Sequence, residues 1–432
     1  MQNSRSGTSL LIHCRSSAPN NSVRHLHEGG SYFRESIHNK DFNRHGTELP
    51  RLLVTELRMK TALEDLSEGI SLESVNFGGS MRIAQVAPLY ESVPPKLYGG
   101  TERVVHYLTE ALVHDGHEVT LFASGDSSTS ATLIPCCPEA LRLGNSVIPL
   151  AHHMVMLNEV ARLADDFDIV HFHCDFLHFP FSRHFQTAHV TTLHGRLDIP
   201  DLVPLYEEFS EVPLVSISDS QRTPLSWANW QATVHHGLPR HLLKPGQGSG
   251  RYLAFLGRIA PEKRVDRAIE IALRSGLPIK IAAKIDRADQ EYFDTKIRPL
   301  LREKGVEFIG EINEGQKSKF LGDALALLFP IDWPEPFGLV MIESLACGTP
   351  LIAWNCGSVP EIITHHDTGF VVNSIDQAVA AVQQLDRTMR ARCREVFERR
   401  FSSERMMSDY LAVYSRLRGK HFEPVAIGSG SV

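Results

Sequence analysis

A chain of 432 residues has the length of two domains or more, and its 42% apolar and 22% charged residues allow large globular cores. A net charge of −7 gives no reason to expect nucleic acid as a partner, and no apolar run approaches the roughly 18 residues that a membrane span needs. The seven cysteines lack CxxC spacing, which suits free thiols in a reducing compartment, with the cytoplasm as the expected location.

Residues 1–80 stand apart. They are rich in Arg and Ser, carry no acid until Glu28 and show no sustained apolar period. They read as a leader outside the main fold or a misassigned start, with a composition that transit peptides share, and 53–69 as a short helix. At Met81 the strand MRIAQVAPLY begins abruptly. ERVVHYLTEALVHDG follows as an amphipathic helix with Val104, Val105, Leu108, Ala111 and Leu112 on one face. HEVTLFA reads as a strand, MVMLNEVARLADD as a helix, and DIVHFHC, HVTTLHG, PLVSIS and ATVHHGLP complete a first half over 81–240. RHLLKPGQGSGR, rich in Gly and basic residues, reads as a linker centred on 241–250.

The pattern then restarts over 251–400. YLAFLGR, PIKIAAK, VEFIG, LALLFP and PLIAW read as strands, and VDRAIEIALRSG, KSKFLGDA and AVAAVQQLDRT as helices. WPEPFGLVMIESLACGTP holds a further helix, opened by Pro336 and Gly338 and ended by Gly348 and Pro350. The last helix, over 401–420, has room to pack back on the first half, and 421–432 is a tail. Strands alternating with helices imply an α/β fold: two doubly wound, Rossmann-like domains facing across a cleft.

In such sheets ligands bind outside the carboxyl ends of the strands, so the residues just after strands are the candidates. After the first strand, Gly99 and Gly100 permit close backbone approach and Thr101 can cap a helix whose amides suit a phosphate; the bland alternative is an ordinary turn. After the first strand of the second half, GRIAPEKR places Arg258 and Lys263 on a turn, as a diphosphate clamp or a solvated basic loop. In the quoted stretch, Glu335 stands just outside a helix N-terminus and Glu343 one to two turns inside it, either as a capping and a solvated carboxylate or as two acceptors for ligand hydroxyls. Together these describe a nucleotide-sugar site.

GGTE, GRIAPEK, the E-x7-E run EPFGLVMIE followed by ACGTP, and GSVPEII with TGFVV occur in that order, and over about 81–418 the chain resembles the retaining glycosyltransferases of family 4, with the GT-B fold. The resemblance implies sugar transfer from a nucleoside-diphosphate sugar to an unidentified acceptor, with no cofactor and no metal required. It implies that Arg258 and Lys263 hold donor phosphate, Glu335 the donor sugar and Glu343 the ribose. Phe337, Gly338 and Leu339 would form the backbone segment around sugar and phosphate, Gly99 and Gly100 the facing loop, and Glu361 the usual PE pair. His194, at the end of the strand TTLHG, would sit near the reacting carbon. The chain departs from the family at IAAKIDRA, where a glycine-rich turn is common, and at Gly357–Ser358, where many members have two glycines.

His173 and Asp175 at a strand end, and Arg196, Asp198 and Asp201 on the following loop, are candidates for the acceptor side, against a reading as solvated loop. Asp166-Phe167-Asp168 spells D-x-D but precedes its strand, the wrong end for a ligand, so a turn is expected. His171 and His173 have ligand-like spacing without a second cluster to complete a zinc site. Trp333 reads as core, with a place in the cleft as the alternative. Arg387–Arg400 reads as a solvated basic helix face, with weak peripheral membrane contact as the alternative. The rival functions are a sugar-nucleotide epimerase-like enzyme on the same fold and a catalytically silent nucleotide-sugar-binding subunit.

Overall fold

The computed structural model describes residues 79–96, 99–144 and 146–418. The leader, the helix read over 53–69 and the tail after 420 lie outside them.

The first half is a seven-stranded sheet in the order β3-β2-β1-β4-β5-β6-β7, every neighbouring pair parallel. Its strands are β1 (Arg82–Val86), β2 (Glu118–Ser124), β3 (Thr132–Cys137), β4 (Ile169–Phe172), β5 (His189–Thr192), β6 (Leu214–Ser216) and β7 (Trp230–Thr233). Helices α1 (Gly100–His114), α2 (Pro149–Leu163) and α3 (Leu202–Glu208) cross between them. The second half repeats the plan with six strands, β10-β9-β8-β11-β12-β13, again all parallel. These are β8 (Leu253–Ile259), β9 (Ile279–Ile285), β10 (Val306–Gly310), β11 (Ala326–Phe329), β12 (Leu351–Trp354) and β13 (Gly369–Val372). Its helices are α4 (Val265–Ser275), α5 (Glu314–Asp323), α6 (Leu339–Ala346), α7 (Ile375–Gln383) and α8 (Thr388–Arg400), and α9 (Ser403–Arg418) follows. Central strands such as IVHF of β4 and ALLF of β11 are buried along their whole length, because helices cover both faces of a parallel sheet.

Several elements differ from the expectation. Edge strand β3 carries Pro135 and is buried fully only at Cys137, so it has no apolar run to reveal it. Strand β13 comes from the TGFVV motif, and α3 occupies the stretch read as an acceptor loop. Helix α2 starts at Pro149, five residues before the expected Met154, because proline suits a first helical turn.

The stretch Arg240–Arg251, read as a linker, is pinned to the second half. Gly246, Gly248 and Gly250 donate backbone hydrogen bonds to Cys347, Gly322 and Asp323 at 3.0, 2.9 and 2.9 Å. A Cβ on Gly246 would lie 2.2 Å from the Gly322 carbonyl oxygen, so two backbones meet where no side chain fits. The basic face of α8 also departs from its reading. Arg394 donates to the carbonyls of Arg240, Leu243 and Ala346, while Arg390 donates to those of Gly246, Gly322 and Ala324 and to the Thr349 hydroxyl. No helix among the described residues is long and apolar enough to cross a membrane.

Past Phe401 the chain returns to the first half: Leu238 and Phe401 share a backbone hydrogen bond of 2.9 Å, and α9 lays fully buried Tyr410 and Tyr414 over the sheet. Removing the Arg390 guanidinium takes a donor from the Gly246 and Ala324 carbonyls, while Gly322 keeps the Gly248 N–H, so Arg390→Ala should cost about 2 kcal/mol in urea unfolding, against at most about 0.5 kcal/mol for exposed Arg399→Ala.

Candidate functional site

In the second half, β8 delivers Arg258 and the turn after it delivers Lys263. Arg258 is held by Glu262 at 2.8 Å and Asp289 at 3.0 Å, with Asp286 at 3.6 Å. Asp286 also pairs with Lys284 at 3.0 Å, so the departure at IAAKIDRA supplies a carboxylate beside the arginine. The Lys263 ammonium pairs with the Glu335 carboxylate and lies 4.8 Å from the Trp333 ring centre. The Trp333 indole N–H donates to the same Glu335 oxygen at 3.1 Å. Trp333 is thus half-buried, packed against the core on one side and reaching Glu335 on the other.

The backbone around Glu335 is fixed from behind by Gly357 and Ser358. Ser358 donates its N–H to the Glu335 carbonyl at 3.0 Å and its hydroxyl to the Phe337 carbonyl at 2.8 Å. Gly357 has φ +57°, and a Cβ there would lie 2.4 Å from the Glu335 nitrogen. Gly338, at φ +78°, turns the chain into α6, whose first amides have no partner within the helix, and Leu339 is its first residue. Phe337 is buried, its ring 4.8 Å from that of His236.

Glu343 is 2% exposed and bound by two cations, Lys317 of α5 and Arg103 of α1, each at 2.8 Å. Burial opposes its charge, yet Lys317 and Arg103 outweigh burial and bring its pKa down to about 2. The carboxylate that the resemblance assigns to a ribose thus carries an ion pair between the halves. Three more contacts join them. Gly100 faces the Leu339 side chain, Ser218 donates to the Pro336 carbonyl at 2.6 Å, and Glu361 accepts from the Asp219 and Ser220 amides at 2.8 Å each.

In the first half, a cavity of about 430 Å³ opens at the carboxyl ends of the strands, lined among others by Gly99, Gly100, Glu102, His173, Asp175 and His194. A Cβ on Gly99 would lie 2.9 Å from the Pro95 side chain, so this approach requires glycine, whereas one on Gly100 would make only ordinary contact. Asp175, at φ +51°, is open to the cavity, whose walls desolvate its carboxyl and raise its pKa; burial does the same to Glu102. His173 Nδ1 and His194 Nε2 lie 2.9 Å apart, and burial pushes His173 well below the usual imidazole range and His194 to about 3. Arg196 and Asp198 are absent from the lining: they pair with each other at 2.7 Å on the surface. His171 turns to Tyr414 and Thr192, and Asp168 binds the Arg82 backbone at the opposite end of the sheet.

Residues 98–244 match the family described as Glycosyltransferase Family 4, and residues 244–400 that described as Glycosyl transferases group 1. The chain belongs to these glycosyltransferases. The N-acetyl-alpha-D-glucosaminyl L-malate synthase of Bacillus anthracis is 33% identical over 126 residues, 27% of this chain and 32% of that protein, so the match spans about a third of that relative. The glycogen synthase of Mycobacterium tuberculosis (strain H37Rv) is 26% identical over 385 residues, 74% of this chain and 91% of that one. The crystal structure of HepE from Anabaena in complex with UDP-glucose has the same fold, with a TM-score of 0.60 at 15% identity over 78% of this chain and all of that one. The transferase therefore has the GT-B architecture.

Sequence reasoning missed Arg103, Lys317 and the support given by Ser358. Only the Gly357–Ser358 departure hinted at any of them. A Cβ at Gly357 would meet the Glu335 backbone, so Gly357→Ala should displace that segment and cost about 2 kcal/mol or more in urea unfolding. The lowered pKa of Glu343 lies below its ordinary 4.5, so its pairing stabilises the fold fully above that pH and is lost as pH falls toward 2. The stability difference between wild type and Glu343→Gln should accordingly narrow from pH 5 to pH 3 in urea unfolding series.

Proposed function

We propose that the transferase moves a sugar from a nucleoside-diphosphate sugar to an acceptor hydroxyl, retaining anomeric configuration and requiring no cofactor. The observation that carries this reading is that Lys263 meets Glu335 at the entry to α6, with Arg258 five residues before Lys263 at the end of β8, and that Gly100 of the cavity wall faces Leu339 of α6. The UDP-glucose held by HepE supports the donor class.

In this reading Arg258 and Lys263 bind the diphosphate, exchanging their present carboxylate partners for phosphate oxygens, while the α6 amides add fixed dipoles. Negative charge that develops on the leaving phosphate meets these groups already in place, which lowers the barrier. Glu335 accepts from donor-sugar hydroxyls, and Glu343 from the ribose once Arg103 yields. The acceptor enters the cavity that His173, Asp175 and His194 line. The bond from the anomeric carbon to phosphate breaks, the bond to the acceptor oxygen forms on the same face, and the acceptor proton passes to the leaving phosphate. A reducing, cytoplasmic setting fits Cys136 and Cys137, adjacent and both free thiols.

Thermal unfolding with a panel of nucleoside-diphosphate sugars tests this. One donor at about 100 times its dissociation constant should stabilise the protein by about 2.7 kcal/mol, and Arg258→Ala and Glu335→Ala should each remove most of that gain. A panel without any stabilising member would sink the reading.

A further inference from the structure

His194 ends a buried chain of hydrogen bonds that starts on the last helix. Gln85 of β1 and His171 of β4 are register partners, and His173 and Thr192 lie at neighbouring strand ends beneath α9. The Gln85 amide nitrogen donates to the Tyr414 hydroxyl at 3.1 Å, and its oxygen faces His173 Nε2 at 2.8 Å. Tyr414 continues to His171 Nδ1 at 2.7 Å, and His171 Nε2 to the Thr192 hydroxyl at 2.7 Å. The Tyr410 hydroxyl closes this branch at 3.0 Å from Thr192.

The direction of these bonds follows from which atoms can only accept. An amide oxygen has no proton, so His173 must carry its own on Nε2. Buried and neutral, His173 then offers a lone pair at Nδ1, and His194 Nε2 must donate into it across 2.9 Å. His194 is left with a lone pair at Nδ1, an atom that is itself buried and has no hydrogen-bond partner. The ring also lies parallel to His236, 5.3 Å between centres, which limits its rotation. The opposite orientation of the Gln85 amide would reverse the whole chain and place an N–H at that sealed Nδ1. A buried N–H without an acceptor costs more than an unfilled lone pair, which favours the first arrangement.

We propose that Tyr414, Gln85 and His173 are positioning residues that lock His194 as the neutral Nε2–H tautomer and withdraw it from proton transfer, leaving it as a fixed wall of the cavity. One imidazole nitrogen is occupied as a donor and the other is closed to the cavity, so neither can take the acceptor proton. The catalytic consequence rests on the transferase reading; the tautomer does not.

The tautomer can be read without substrate. In the full chain labelled with 15N-histidine, the long-range proton–nitrogen pattern of His194, assigned by its loss in His194→Asn, should be that of Nε2–H. Gln85→Glu, which keeps an acceptor toward His173, should preserve that pattern, and Gln85→Leu should replace it by a mixture. Tyr414→Phe, which keeps the ring and loses the hydroxyl, should give the same mixture and serves if Gln85→Leu does not fold. An Nδ1–H pattern, or a wild-type mixture, overturns the proposal. Turnover with the donor found by thermal unfolding gives a second arm. His194→Gln alters the cavity wall and lowers kcat, but its pH–rate profile should keep the limbs of wild type, whereas removal of a general base erases the limb that the base sets. Loss of a limb with donor stabilisation intact overturns the withdrawal from proton transfer. An empty donor panel would count against the transferase reading and leave the tautomer result standing.

Discussion

The cleft depends on the contacts that tie one half of the chain to the other. Two parallel sheets can each deliver side chains to their own strand ends, but nothing in either sheet faces one set of ends toward the other. Besides the ion pairs of Glu343 with Arg103 and Lys317, helix α9 supplies one tie by leaving the second half and burying Tyr410 and Tyr414 on the first. Their hydroxyls cannot remain unpaired there, and they find Gln85, His171 and Thr192. The same helix thus completes the core of the first half and orders the polar groups behind the cavity.

The charges at the cleft fall into two kinds. Glu343 is deeply buried and has cations from both halves, so its own removal would leave Arg103 and Lys317 facing each other in a poor solvent. Arg258 is half-buried, and its carboxylate partners sit on loops, where a phosphate can compete with them. The first kind holds the two halves in register. The second is held by partly exposed carboxylates of one half alone.

The likeness of the two halves to each other was legible because parallel sheets bury continuous apolar strands between amphipathic helices, and both signals are local. Strands such as ALLF and helices such as VDRAIEIALRS announce themselves by composition and period. Edge strand β3 did not, since its half-buried residues and Pro135 lack both signals. The glycines of the Arg240–Arg251 stretch serve as points where backbones touch, which no local signal discloses. Arg390 and Arg394 misled, because a run of arginines does not disclose that two of them point inward to carbonyl groups.

The sequence by itself determined the two-sheet plan and the family, and it singled out Arg258, Lys263, Glu335 and Glu343, because each lies in a short motif just after a strand or around a helix start. Only the tertiary structure decided their partners. Arg103 meets Glu343, Ser358 supports Glu335 and Phe337, and Gln85 joins Tyr414 to His173 across separations that no period or motif spans. It also separated Arg196 and Asp198, paired on the surface, from Asp175, open to the cavity. The physical reason is that a motif states what a strand end carries, whereas pairing and burial depend on which strand ends the packing of helices brings together.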